Sequence, residues 1–575
     1  MNRLFSILLI PLVFLFLFAG YFHPLVGLNQ DLGRHFLLGQ IILETLTVPK
    51  VNLFSYTYPD FPFINLHWLP EIIFYLVHTL TGIPGLFILS LVLIGAAFGL
   101  MFFKARKNSS LIVLSFISVI YLRILFERTD LRPELFSFLF LSIMVTTLYS
   151  YRERFTKLIY LLIPLELIWV NTHIYFFIGL FVLGLFSVDA AITHRKNLLS
   201  KVPKTLFLVT CLSALVTLMN PNGVSGAIYP FRVFENYGYT IEENQNPFFL
   251  QSLGFNKPSL PYQELATVLL FASLFVSLRK TRVIDWLLSI SFTGIAFMAV
   301  RNFPLFVFAT LIPCSYLVTE SLRPLVKRSS PERKQLLQFI LLIGFVLLII
   351  WQVKSITQLK GFGYGVEEDG KGALTFVKEQ KITGPIFNNF DIGSYIEYQL
   401  YPTERVFIDG RPGEYPAAFL QNTYIKMQED PKVFAKVSEK YRFNTIIFSH
   451  TDQTPWAEQF VKAITQNPDF VVVYLDPSML VLVKNTTENQ ALIKRFGMKP
   501  TDLTMIKPDS ERELRAAAHF YAGIGDTKKI QPLLLQLLTY SPHDCATLQA
   551  LISIYTAEQN LASQIYLARY QTACR

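Results

Sequence analysis

Hydrophobic and polar positions divide the chain into two unlike parts. Up to residue 353, apolar stretches recur at 4–22, 84–103, 111–127, 134–150, 158–171, 174–193, 205–219, 262–278, 284–300, 303–320 and 335–353. Each approaches the roughly 20 residues that cross a hydrocarbon core, so the pattern predicts about eleven transmembrane helices. The first stretch lacks a small-x-small cleavage site and reads as a retained helix, not a cleaved signal. Beyond 353, β-type runs at 384–387, 405–408, 445–448, 470–475 and 480–483 alternate with helical stretches near 370–379, 414–428, 431–440 and 454–466. That alternation predicts an α/β domain over 354–490. In the remaining 491–575, Tyr521-Ala522 recurs as Tyr555-Thr556 after 34 residues, the tetratricopeptide (TPR) period, so the tail reads as TPR-like. The expected fold class is mainly α: a polytopic bundle over 1–353, an extracytoplasmic α/β domain and a helical tail.

Composition and charge sharpen this picture. Of the 575 residues, 52% are hydrophobic and only 16% charged, where soluble domains carry about 25%. A net charge of +10 would suit nucleic acid, but the cations sit in alternate loops: Lys104/Arg106/Lys107, Arg152/Arg154/Lys157, Arg195/Lys196/Lys201/Lys204, Arg279/Lys280/Arg282 and Arg323/Lys327/Arg328/Arg333/Lys334. By the positive-inside rule these loops and the N-terminus are cytoplasmic, and the C-terminal part is external. The charge is a topology signal of a plasma-membrane protein, and nucleic acid is not an expected partner. Cys211 and Cys314 fall in apolar runs as packing residues. Cys545 and Cys574 share the tail, where pairing is open to them outside the cytosol.

The candidate chemistry lies in the loops opposite those clusters. The loop 23–83 is too polar and aromatic to span, and it carries Asp31, Arg34 and His35, then His67, Trp68 and Glu71. Asp31 has Arg34 and His35 one turn away; it is either a helix cap paired with Arg34 or a base at the membrane surface. Trp68 reads as an interfacial anchor. The turn 127–134 concentrates Arg128, Asp130 and Glu134 where an apolar helix leaves the membrane, a costly arrangement unless the charges are paired or used. Asp130 and Glu134 join Asp31 as catalytic candidates, and the three carboxylates are the ligands to consider for Mg2+ or Mn2+, although no motif requires a metal. Asn171 and His173 sit in a tight outer turn, as capping groups or substrate contacts. The loop 220–262 holds Glu243 as a lid or acceptor contact. Arg301 is a phosphate ligand or a snorkelling cation. Asp409-Gly410-Arg411 and Ser449-His450 end strands, but Asp-Gly is equally a turn former. No GxSxG, HExxH, Walker or dinucleotide fingerprint is present.

The strings DLGRH, PKVNLFSYTYPDFPFINLHWL and NNFDIGSYIEYQLYPTERVFIDGR, with Asp31 in the first external loop and Asp130/Glu134 in the next, resemble the GT-C superfamily of membrane glycosyltransferases. Unlike many of its members, this chain has Leu32, not a second acid, after Asp31. The resemblance implies transfer of a sugar from a polyprenyl-phosphate donor to a glycan, lipid or protein acceptor. It further implies Asp31 as general base, Arg34 or Arg301 near the phosphate, and a tail that binds a partner or presents the acceptor. Two other classes stay open: a flippase for a lipid-linked glycan, and a non-catalytic scaffold whose tail recruits partners.

Overall fold

A computed structural model describes residues 2–25, 31–234, 237–328 and 330–574, so residues 26–30 of the first external loop lie outside the described residues. Every apolar stretch folds as helix. They form α1 (Asn2–Tyr21), the second half of α3 (Trp68–Arg106), α4 (Leu111–Leu125), α5 (Glu134–Glu153), α6 (Leu162–Val170), α7 (Phe176–Thr193) and α8 (Lys201–Val216), then helices Leu260–Val276, Val283–Met298, Phe303–Arg328 and Pro331–Lys360. Among the described residues, five helices are long and apolar enough to cross a membrane, and others are shorter apolar helices. Large apolar side chains such as Phe207, Val268, Phe339, Leu347 and Trp351 are exposed on their outer faces. In water that surface would be costly; against lipid it is not. The chain is a multi-pass membrane protein.

The loops segregate to opposite ends of the bundle. At one end Lys104 pairs with Glu153 at 2.7 Å, Arg152 with Asp189 at 2.7 Å and Arg282 with Asp285 at 2.8 Å. At the other, the loops at 23–83, 127–134, 171–173, 220–259 and 300–302 interlock. Inside the first loop, α2 (Gly33–Thr45) packs on the outer half of α3. The helices approach so closely that a side chain at Gly39 would meet the Glu71 carbonyl oxygen at 2.1 Å. α3 itself breaks at Gly82, where φ is +66°, a conformation glycine adopts without penalty. The Trp68 indole N–H donates to Asn171 Oδ1 at 3.0 Å and ties the start of α3 to the outer turn.

The soluble part is built on four strands, β1 (Ile386–Asn388), β2 (Thr445–Ser449), β3 (Phe470–Leu475) and β4 (Met479–Lys484), in the order β1-β2-β4-β3. β1 and β2 are parallel, and the other neighbours are antiparallel. The expected strand at 405–408 does not join this sheet. Its backbone is taken by the first external loop instead, with Val406 N–H to Phe54 O at 3.0 Å and Tyr56 N–H to Val406 O at 3.2 Å. A segment with strand composition needs only an edge to pair with, and the loop supplies it. The tail forms two helical hairpins, Glu511–Ile524 with Thr527–Tyr540 and Cys545–Ala557 with Ala562–Ala573, and Cys545 and Cys574 are disulfide-bonded.

The α2–α3 contact is testable. Gly39→Val forces the helices apart at a backbone carbonyl and is expected to lower stability by about 1–3 kcal/mol, read as a lower midpoint of thermal unfolding in lipid nanodiscs. An unchanged midpoint would show that this contact is loose.

Candidate active site

α2 begins two residues after Asp31, and its close seat on α3 sets the geometry. Asp31 does not cap the helix: α2 has no side-chain cap. Its carboxylate takes the Arg34 guanidinium at 2.9 Å and lies 4.0 Å from Arg132. Burial pushes the Asp31 carboxyl up, but Arg34 and Arg132 outweigh it and hold it below the usual carboxylate range. Arg34 also donates to Ser394 Oγ of the soluble domain at 3.1 Å. A side chain at Gly410 would lie 3.7 Å from Asp31 Oδ1, so the soluble domain closes directly over this carboxylate. On the next turn, His35 Nδ1 meets Glu71 Oε1 at 3.0 Å, and Asn65 donates to Glu71 Oε2 at 2.6 Å. The His67 ring stands between those of His35, at 6.1 Å, and His173, at 5.2 Å. Burial, then the charges of His35 and Arg34, lowers His67 to about 3, so it is neutral at physiological pH.

The second external turn forms the opposite wall. Arg128 pairs with Glu134 and with Glu243, each at 2.6 Å, and Arg132 reaches Glu243 at 3.1 Å. Burial raises the Glu243 carboxyl, yet Arg132 and Arg128 prevail and bring it down to about 2. The loop 241–246 is thereby fastened to the bundle. Arg301 joins it, donating to Asn244 Oδ1 at 2.7 Å under the face of Tyr175. Arg34 and Arg301 each keep a buried Nε–H with no hydrogen-bond partner. Both guanidiniums act electrostatically on His67. Spare buried N–H donors on two cations are what a phosphate requires.

The predicted residues do not all share one role. Asp31, Arg34, His35, His67, Glu71, Arg128, Glu134, His173, Glu243 and Arg301 form one connected mouth. Asn171 is committed to local structure: its amide N–H groups bind the carbonyls of Leu167 and Met219, at 2.8 and 3.0 Å. His173 is held by Ser137 at 3.0 Å. Asp130 acts electrostatically on His23 and Lys360. Lys360 in turn donates to Thr129 Oγ1 at 2.7 Å. Among the described residues, no three of His, Cys, Asp and Glu gather in a group suited to a metal ion. Asp31 and Glu134 are already taken by arginines, so the three carboxylates do not fit a shared Mg2+ or Mn2+.

Sequence reading missed the contribution of the soluble domain. Ser394 holds Arg34, and Asp391, one turn earlier, opens onto the same crevice. The Asp391 side chain reaches solvent while protein confines its other sides; that confinement, with Asp452 and Asp31 nearby, pushes its carboxyl up to about 7. Both residues lie in the NNFDIGSYIEYQL string, but nothing local to it says that it faces Asp31.

No family model matches the sequence, and no curated protein matches it. Structural similarity is extensive. The fold resembles that of the archaeal oligosaccharyltransferase AglB from Archaeoglobus fulgidus, in complex with an inhibitory peptide and a dolichol-phosphate. The TM-score is 0.56 at 11% identity, over 81% of this chain and 73% of that one. The chain shares the overall fold of that oligosaccharyltransferase. The Archaeoglobus fulgidus oligosaccharyltransferase in complex with Zn and sulfate aligns with a TM-score of 0.51 at 11% identity, over 82% of this chain and 73% of that one. ArnT from Cupriavidus metallidurans bound to undecaprenyl phosphate aligns with a TM-score of 0.48 at 13% identity, over 84% of this chain and 98% of its own.

The Glu243 pairs predict a pH response. Because its folded pKa lies below the ordinary value of 4.5, the stability it contributes is complete above that value and lost as pH falls toward about 2. Amide exchange in 241–246 should therefore accelerate over that interval, and Glu243→Gln should abolish the dependence.

Proposed function

We propose that the protein is an integral membrane glycosyltransferase that moves a sugar from a polyprenyl-phosphate donor to a glycan, lipid or protein acceptor. The observation that carries this reading is Asp31, ionised and clamped by Arg34 and Arg132, beside two guanidiniums with spare buried donors. The donor phosphate takes the free N–H groups of Arg34 and Arg301. As the phosphate draws Arg34 away, the carboxylate of Asp31 loses its counter-charge and its basicity rises. Asp31 then accepts the proton of the acceptor hydroxyl as that oxygen bonds to the anomeric carbon. The bond from that carbon to the phosphate oxygen breaks on the opposite face, and the electron pair leaves with the phosphate, giving inversion. Base assistance of this kind contributes about 10²–10⁴-fold, and the fixed guanidiniums stabilise the charge that develops on the leaving group. His67 and His173, both neutral, border the space without adding charge.

The topology follows from the same logic. The basic loops are cytoplasmic, and the mouth, the α/β domain and the tail face outward from a bacterial plasma membrane. A disulfide in the tail supports an oxidising compartment on that side. The TPR-like tail is placed to hold a protein partner or the acceptor.

The test uses purified protein in lipid with a panel of polyprenyl-phosphate sugars, following release of the free lipid phosphate. Asp31→Asn is expected to reduce turnover by about 10²–10⁴-fold with folding intact. Arg301→Ala is expected to weaken donor use, with partial return in Arg301→Lys, because an ammonium keeps the charge but not the forked geometry. Equal turnover in wild type and Asp31→Asn would remove Asp31 as base. No turnover with any donor, but transbilayer movement of a lipid-linked glycan, would favour the flippase.

A further inference from the structure

A second cavity lies beside the mouth, in the soluble half. It encloses about 130 Å3 where the aromatic tip of the first external loop, the residues Tyr229, Arg232 and Tyr237, and the turn 413–414 meet. On the same measure a single water needs only ~10–15 Å3, so this is space for a small ligand. Its lining is uneven in a telling way. Phe61, Tyr229 and Tyr237 supply ring surface, Arg232 stands beside them, and Glu414 supplies a carboxyl. Glu414 is only 5% exposed, and its Oε2 has no hydrogen-bond partner. The rings come near because residue 413 is glycine: a side chain there would sit 3.3 Å from Tyr229 Oη and 3.4 Å from Tyr237.

We propose that this cavity is a saccharide subsite, which binds a neutral sugar unit of the acceptor through the faces of Tyr229, Tyr237 and Phe61 and hydrogen bonds to Glu414. It rests on the glycosyltransferase reading. Sugar rings present apolar C–H faces to aromatic rings and hydroxyls to a buried carboxyl, and few other ligand classes need both together. Charge decides against the alternatives. Burial raises Glu414 to about 8, against the pull of Arg411, so at neutral pH it is an uncharged acid that both donates to and accepts from hydroxyls. A cation would find no counter-charge there and would face the Arg232 guanidinium besides. Position fits as well. Glu414 is four residues beyond Gly410, which abuts Asp31, and four residues span at most about 14 Å. A sugar held here is in reach of the base while staying within the soluble half, which favours acceptor over donor.

The experiment titrates maltotriose, N,N′-diacetylchitobiose and lactose onto the full-length protein in nanodiscs, read by saturation-transfer NMR, and follows donor turnover in parallel. At least one saccharide should bind in the millimolar range. Tyr237→Ala and Glu414→Leu should each weaken binding about tenfold, the scale of one lost ring contact or hydrogen bond. Glu414→Gln, which keeps a donor and an acceptor, should retain most of it. Where a saccharide stimulates donor turnover, Tyr237→Ala and Glu414→Leu should lower that stimulation in step with binding, and Glu414→Gln should keep most of it. Failure of all three saccharides to bind, or equal binding by Tyr237→Ala and Glu414→Leu, would overturn the subsite. Saccharide binding with those variant effects, in a protein that turns over no donor, would uphold the subsite and remove the transferase.

Discussion

The structure turns on how charge is held at the mouth of an apolar bundle. A guanidinium or carboxylate buried there without a partner costs several kcal/mol, and Arg34, Glu71, Arg128 and Glu134 are all buried. Each is met by a charged or polar group, and Arg34 and Arg128 reach beyond their own loops to Ser394 and Glu243. Arg34 lies between Asp31 and Ser394, Glu71 between His35 and Asn65, and Arg128 between Glu134 and Glu243. Removing any one partner strands the other. The first loop, the second turn, the 241–246 loop and the soluble domain are therefore locked into one arrangement.

The soluble domain enters that arrangement as a lid built into the chain. Val406 pairs its backbone with Phe54 and Tyr56, and Arg411 binds Asp409 at 2.6 Å and Asn52 at 3.1 Å while its guanidinium lies over Phe54 and Phe63. Rings pack across the same contact, Phe54 with Tyr401 and Tyr58 with Phe419, so register is set by direction as well as by area. The result carries Ser394, Asp391 and Gly410 to the carboxylate of Asp31.

The same pairing has a chemical consequence. A carboxylate held down by two guanidiniums is stable but weakly basic, and a guanidinium with an unpaired buried N–H is strained for want of an acceptor. In the proposed transfer, an incoming phosphate would relieve the second condition and, by competing for Arg34, the first. The resting ion pairs would then supply the polarity for that step without the reorganisation that water imposes.

Much of this was legible in the residues. Apolar length determined which segments are helical, because in lipid only a helix satisfies its own backbone. The alternation of basic loops anticipated which loops meet at each end, and Asp31, Arg34, Glu71, Arg128, Glu134, Glu243 and Arg301 stood out as charges that an apolar setting tolerates only when paired or used. Tertiary structure alone decided who pairs with whom. Nothing in the string around Ser394 points to Arg34, 360 residues away in sequence. The strand-like 405–408 found its edge in a distant loop, and Lys360 met Thr129 while Glu134 met Arg128. Local pattern reports solvation and periodicity. Pairing across hundreds of residues depends on which surfaces the packed bundle brings within hydrogen-bond reach, and that is a property of the whole fold.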